Sequence, residues 1–140
     1  GTTDYAVDIY HKAINNEKFD CFLSETTVLP MIYMDDVIRG TLELMEAPVE
    51  AIKIRTSYNI AGLSFSPSEI AASIKEFYPE FEVTYSPDFR QAIADTWPNS
   101  IDDSSARNDW GWKPEFNLAT MTREMIENLN LKNSFEKIKS

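Results

Sequence analysis

The chain has 140 residues, of which 43% are apolar, and its 13 basic and 23 acidic side chains give a formal charge of −10. This charge repels nucleic-acid phosphates and anionic membrane surfaces, so we expect neither as a partner. The sequence contains no apolar run of about 18 residues and no basic-then-apolar leader, which predicts a cytoplasmic protein.

The first part of the sequence predicts a helix followed by two strands. Thr2 or Thr3 can cap the helix, whose apolar residues recur at helical spacing. Two short apolar runs, residues 19–23 and 28–34, contain β-branched and aromatic residues and are typical of strands.

A second helix is predicted to begin at two adjacent carboxylates, Asp35 and Asp36. Such a pair could serve acid–base or metal chemistry, but it also suits the positive end of a helix dipole, and we favour the dipole interpretation. Apolar residues follow at helical spacing up to Met45, and Pro48 closes the helix.

The middle of the chain predicts two further strands and two helices. Residues 58–61 form a candidate strand that runs into Gly62, and residues 81–85 alternate as an edge strand does. The run Ser66-Pro67-Ser68-Glu69 predicts a capped helix start, with Ile70, Ile74 and Phe77 on its buried side. Residues 88–97 predict a short helix that ends before Pro98.

The run from Ser100 to Pro114 is the most distinctive stretch of the chain. Asp102 or Asp103 can cap a helix that Gly111 ends, and tryptophans flank the turn on both sides. A last helix is predicted from Asn117, with its end fraying beyond residue 130. The order of elements predicts that residues 1–140 form a single α/β unit.

The Trp110-Gly111-Trp112-x-Pro114 turn, preceded by Asp102-x-Ser104-x-Ala106, resembles the C-terminal end of the extended short-chain dehydrogenase/reductase superfamily. Four further stretches narrow the resemblance to the short-chain type of L-threonine 3-dehydrogenase. They are Gly1-Thr2-Thr3-Asp4-Tyr5-Ala6, Leu29-Pro30-Met31-Ile32-Tyr33-Met34-Asp35-Asp36, Tyr58-Asn59-Ile60 and Asp88-Phe89-Arg90-Gln91-Ala92-Ile93-Ala94-Asp95-Thr96-Trp97-Pro98. The resemblance implies the C-terminal, helix-rich substrate-binding portion of a Rossmann-type short-chain dehydrogenase fold.

Two motifs of that superfamily do not occur in this sequence. The four glycines are scattered, so no Gly-x-Gly-x-x-Gly turn can approach a pyrophosphate, and no tyrosine has a lysine four residues later. We therefore expect the NAD-binding Rossmann portion and the catalytic residues to precede this chain, which begins without an initiator methionine. The chain alone is expected to be inactive.

The resemblance implies oxidation of the C3 hydroxyl of L-threonine to 2-amino-3-oxobutyrate, with NAD as the cofactor. It assigns substrate binding to Thr2, Thr3, Asp4 and Trp97. The chemistry is reasonable, because Asp4 can pair with an ammonium group, threonine hydroxyls can donate to a carboxylate, and an indole can exclude water. With one cysteine and one histidine, no Cys/His metal cluster can form, and we expect no metal, although a site made only of carboxylates stays open.

Other interpretations remain. One is a sugar-nucleotide epimerase or dehydratase of the same superfamily, in which an arginine such as Arg90 would contact a diphosphate; a surface ion pair is the simpler role for Arg90. Another is a non-catalytic, stand-alone binding domain, which should fold without exposing a large apolar face. The family is generally dimeric, so we expect a homodimer.

Overall fold

A computed structural model describes residues 4–54 and 57–139 of the chain, and it is an α/β structure. The described helices are α1 (Tyr5–Ile14), α2 (Met34–Glu46), α3 (Pro67–Lys75), α4 (Phe89–Asp95), α5 (Ser104–Trp110) and α6 (Leu118–Lys139). The described strands are β1 (Phe19–Cys21), β2 (Leu29–Met31), β3 (Leu63–Phe65) and β4 (Val83–Tyr85).

The strands form two small sheets. β1 pairs in parallel with β4, with Phe19 opposite Val83, and β2 pairs antiparallel with β3, with Leu29 opposite Phe65. Helices α1, α3 and α6 pack on one another, and α1 also covers β1. Side chains of these helices and of the strands form the main hydrophobic core, whose fully buried members include Tyr5, Ile9, Leu29, Ile70 and Ile74.

The capping signal at the start of α3 is confirmed in every part. The Ser66 hydroxyl accepts a hydrogen bond from the Glu69 amide at 3.3 Å, and the Glu69 carboxylate accepts one from the Ser66 amide at 3.2 Å. Pro67 is the first residue of the helix. These contacts satisfy backbone donors that a helix start otherwise leaves free.

The turn after α5 is also confirmed. Gly111 adopts a left-handed conformation with φ of 73°, which a residue with a side chain adopts only at a cost, and it ends the helix. The Trp112 side chain is 2% exposed and donates from Nε1 to the carbonyl oxygen of Ala61 at 3.0 Å. The turn therefore docks onto the body of the protein.

The strand predicted at residues 58–61 is wrong. The structure describes these residues and has no strand there, and β3 begins after Gly62, at Leu63–Phe65. Polar groups of residues 58–61 form hydrogen bonds with the tryptophan turn and the helix before it, and not with a neighbouring strand. The Tyr58 hydroxyl accepts from the amides of Lys53 and Ile54 and donates to Asp109, and the Ala61 carbonyl accepts from Trp112.

Two predictions about helix ends are also corrected. α3 ends at Lys75, so Phe77 falls beyond it and is 43% exposed rather than buried. α6 continues through residue 139 rather than fraying beyond Asn130. No glycine or proline follows Pro114 to interrupt it.

Candidate functional site

Two of the four predicted substrate-binding residues are described by the structure: Asp4 at the start of α1 and Trp97 after α4. Thr2 and Thr3, and with them the predicted threonine cap, lie outside the described residues. Asp4 is exposed and precedes α1, and its carbonyl oxygen accepts the amides of Val7 and Asp8, both at 3.1 Å. Trp97 follows α4 with 42% of its side chain exposed.

A segment of residues 22–27, which we call the connecting segment, links these two helices. The rings of Tyr5 and Phe22 meet edge to face with centroids 6.3 Å apart. The Arg90 guanidinium lies 3.5 Å from the centroid of the Phe22 ring, and the Asp88 amide donates to the Phe22 carbonyl at 3.2 Å. Phe22 thereby joins the residue next to Asp4 to the helix that precedes Trp97.

Gln91 of α4 fixes the same segment through both ends of its side-chain amide. Its Oε1 accepts from the Ser24 amide at 2.8 Å, and its Nε2 donates to Thr27 Oγ1 at 2.9 Å and to Asp95 Oδ1 at 2.8 Å. The sequence interpretation missed this role of Gln91. Its one available signal was its place in the Arg90–Pro98 run.

Arg90 is engaged in an ion pair, as its simpler interpretation predicts. Its guanidinium donates to both carboxylate oxygens of Asp88, and this contact lowers the pKa of the Asp88 carboxyl. The Asp88 side chain also caps α4 by accepting the Arg90 amide at 2.9 Å. Arg90 thus holds α4 against Phe22, and Asp88 balances its charge.

Asp36 has a role that the helix-dipole interpretation did not include. Its carboxylate is fully buried and accepts the backbone amides of Glu115 and Phe116 at 3.0 and 3.1 Å. Arg39 donates to the same carboxylate at 3.0 Å and to the Lys113 carbonyl. Asp36 therefore anchors the chain that leaves the tryptophan turn, and this is a structural role.

A cavity of about 570 Å³ lies away from these residues. It is lined by the end of α1 and the connection from α3 to β4, including Ala13, Phe77 and Glu80, and does not include Asp4 or Trp97. Within residues 4–54 and 57–139, no group of three or more His, Cys, Asp or Glu residues could hold a metal ion. No helix in that same part of the chain is long and apolar enough to cross a membrane.

This arrangement of helices and small sheets also occurs in solved enzyme structures. A UDP-glucose 4-epimerase from Thermotoga maritima superposes on 91% of the chain, and on 40% of its own length, with a TM-score of 0.75 at 20% identity, which establishes the fold. No family model matches the sequence.

Closer relatives are L-threonine 3-dehydrogenases. The GalE-like L-threonine dehydrogenase from Cupriavidus necator is 58% identical, with a TM-score of 0.88 over 92% of this chain and 42% of that structure. The mitochondrial L-threonine 3-dehydrogenase of Bos taurus is 53% identical over 127 residues, or 90% of this chain. The predicted resemblance is thereby confirmed, and the chain corresponds to the C-terminal part of these enzymes. It spans about a third of the bovine enzyme's length (34%).

Proposed function

We propose that this chain is the substrate-side portion of an enzyme that oxidises L-threonine to 2-amino-3-oxobutyrate. The observation that carries the proposal is the identity of 53% and 58% to L-threonine 3-dehydrogenases along nine-tenths of the chain. Identity to the UDP-glucose epimerase over a similar share of the chain is 20%. The chain is therefore much more similar in sequence to the threonine dehydrogenases than to this epimerase.

In this proposal the substrate lies between the start of α1 and the end of α4. Asp4 pairs with the ammonium group of threonine, the hydroxyls of Thr2 and Thr3 donate to its carboxylate, and Trp97 provides an apolar wall. The exposure of Asp4 and of 42% of Trp97 supports this assignment, because a substrate must be able to reach both. The connecting segment contacts both α1 and α4 and so fixes their relative position.

The proposed hydride acceptor, NAD, does not fit the described residues of this chain. Each described glycine has a packing or turn role at a separate place in the fold. Gly40 lies against Trp112, Gly62 lies against the backbone of Met31 and Ile32, and Gly111 ends α5. A dinucleotide needs clustered glycines that let the backbone approach its pyrophosphate. We therefore assign NAD and the proton-transferring residues to the part of the relatives that the chain does not span.

The alternatives are less well supported. A sugar-nucleotide enzyme would need Arg90 for a diphosphate, but Arg90 already bonds to Asp88 and stacks on Phe22. A stand-alone binding domain should cover its apolar surface, whereas α2 leaves several large apolar side chains exposed. A cytoplasmic location and a homodimer remain predictions, which cell fractionation and sedimentation of the complete protein would test.

A chimera tests the proposal directly. The chain would replace the matching part of the Cupriavidus necator enzyme, and NADH formation would be followed with L-threonine as substrate. We expect oxidation of L-threonine and no epimerisation of UDP-glucose. In the chimera, Asp4→Asn and Trp97→Ala should each raise KM for L-threonine by about tenfold or more, a loss of roughly 1.4 kcal/mol.

The control variant is Phe135→Ala, which changes another exposed aromatic residue, 58% exposed, on α6 and should leave KM unchanged. The intact mass of the natural protein would be measured alongside. A folded chimera that binds NAD and leaves L-threonine unoxidised would refute the proposal.

A further inference from the structure

Helix α2 turns its apolar face outward. Four large apolar side chains lie within one narrow sector of the helix, at positions i, i+4, i+8 and i+11. They are Met34, Ile38, Leu42 and Met45, with exposed fractions of 64%, 54%, 51% and 76%. Val49, in the 3-10 turn that follows, is 79% exposed. We call these five side chains the α2 stripe; such a continuous apolar surface marks an interaction site.

The opposite face of α2 is fixed to the protein by polar and small residues. Asp36 and Gly40 are buried, Asp36 holds the amides of Glu115 and Phe116, and Gly40 lies against the Trp112 ring. Rolling the helix to bury the stripe would break these contacts. The outward direction of the stripe is therefore built into the fold.

The charges around the stripe argue against a second copy of this chain as its partner. Three exposed carboxylates border it, from Asp35, Glu46 and Glu50. A two-fold interface sets the same patch of both copies face to face, which would bring these carboxylates together. The chain also carries a formal charge of −10, so the stripe fits an apolar surface with a neutral or basic rim.

We infer that the α2 stripe docks onto the nucleotide-binding portion of the proposed dehydrogenase, the part that this chain does not span. This inference rests on the proposed function. The chain covers 34% of the bovine relative, so about two-thirds of such an enzyme remains to supply the partner surface. In α/β folds, one-sided helices bury their apolar face against a sheet, and the two-stranded sheets described here leave α2 without one.

The test compares the same substitution in two contexts. Ile38→Glu with Met45→Glu would be made in the 140-residue chain and in the Cupriavidus necator chimera, and Tm would be measured for both. We expect little change in the chain alone, where both side chains are exposed, and a fall of roughly 5 °C or more in the chimera, where they are buried. The matched control is Leu131→Glu with Phe135→Glu, both 58% exposed on α6, which should have little effect in either context.

Hydroxyl-radical labelling of methionines provides a second measurement on unmutated protein. Met34 and Met45 should be labelled much faster than Met121, which is 6% exposed, in the chain alone and should be protected in the chimera. Equal labelling in both contexts, or equal effects of the substitutions on Tm, would overturn the inference. Protection in the chain alone that grows with its concentration would identify a second copy as the partner and would overturn it too.

These outcomes are separate from those that decide the proposed function. A chimera that protects Met34 and Met45 but does not oxidise L-threonine would contradict the enzyme assignment alone. One that oxidises L-threonine while both methionines stay labelled would contradict the docking surface alone.

Discussion

Gly40 of α2 lies directly against the indole ring of Trp112. A β-carbon at position 40 would lie 2.7 Å from Cζ3 of the ring, well inside van der Waals contact, and 3.2 Å from Cδ1 of Ile60. The indole cannot easily move away, because its Nε1 is bonded to the Ala61 carbonyl and the side chain is 2% exposed. This contact sets how closely α2 approaches the tryptophan turn.

The first prediction is therefore that Gly40→Ala destabilises the protein. Within a helix, alanine normally stabilises relative to glycine by about 0.5–1 kcal/mol, but overpacking a buried site costs about 1–3 kcal/mol. We expect a net loss of about 1 kcal/mol in urea unfolding and a changed tryptophan fluorescence spectrum. Thr41→Ala, at the neighbouring exposed position, is the control and should change stability by less than about 0.5 kcal/mol. An Ala variant as stable as the parent would contradict the close contact.

The second prediction separates the two adjacent aspartates. Asp36→Asn removes the buried charge that holds Arg39 and replaces one acceptor oxygen by a donor facing the amides of Glu115 or Phe116. We expect a loss of about 2–4 kcal/mol in urea unfolding. Asp35→Asn, at the exposed neighbouring position, should cost less than about 1 kcal/mol. Similar losses for the two variants would show that Asp36 acts only through the helix dipole.

Local signals explain which parts of this fold could be predicted from the sequence. The capping box at Ser66 and the left-handed turn at Gly111 depend on neighbouring residues, and both are confirmed. The role of Asp36 depends on backbone amides about 80 positions away. Residues 58–61 do not form the predicted strand, and Ala61 bonds to Trp112 instead, 51 positions away. The periodicity of α2 indicated an apolar face without indicating whether that face turns inward.

The candidate site shows the same division. The Asp4 and Trp97 assignments came from resemblance to known enzymes and remain proposals. The contacts of Gln91 with the connecting segment join residues 64 and 67 positions apart, and the rings of Tyr5 and Phe22 meet edge to face. No spacing rule in the sequence predicts such contacts.

The third prediction concerns alkaline pH. Burial raises the pKa of the Tyr10 hydroxyl to about 12 from its ordinary value of 10.0, and the side chain is 1% exposed. Because the folded protein keeps a proton that the unfolded chain loses near pH 10, this stabilisation is present below pH 10 and is lost as pH rises towards 12. The unfolding free energy should therefore fall less steeply between pH 10 and pH 12 in Tyr10→Phe than in the parent. The difference in slope should be up to roughly 1.4 kcal/mol per pH unit.

The same variant has a second effect at neutral pH. It removes the hydrogen bond between the Tyr10 hydroxyl and Thr122 Oγ1 (3.0 Å) and should cost about 1 kcal/mol. Urea unfolding at several pH values measures both effects. Tyr78→Phe, whose hydroxyl bonds to Asn130 near the surface, is the control for removing a phenol. An unchanged alkaline slope in Tyr10→Phe would contradict the assignment of this titration to Tyr10.

The last prediction tests Gln91 as a positioning residue for the connecting segment. Gln91→Glu keeps an acceptor for the Ser24 amide but cannot donate to Thr27, and it places a second carboxylate beside Asp95. Like charges four positions apart on one helix repel, so the new side chain should turn away from Ser24 and Thr27 and release the segment. Hydrogen exchange at the Ser24 amide should become at least about tenfold faster, and in the chimera KM for L-threonine should rise more than kcat falls. Adding Asp95→Asn should restore part of the loss by removing the repulsion, whereas Asp95→Asn alone should have little effect. Unchanged exchange at Ser24 in Gln91→Glu would show that the contact does not hold the segment.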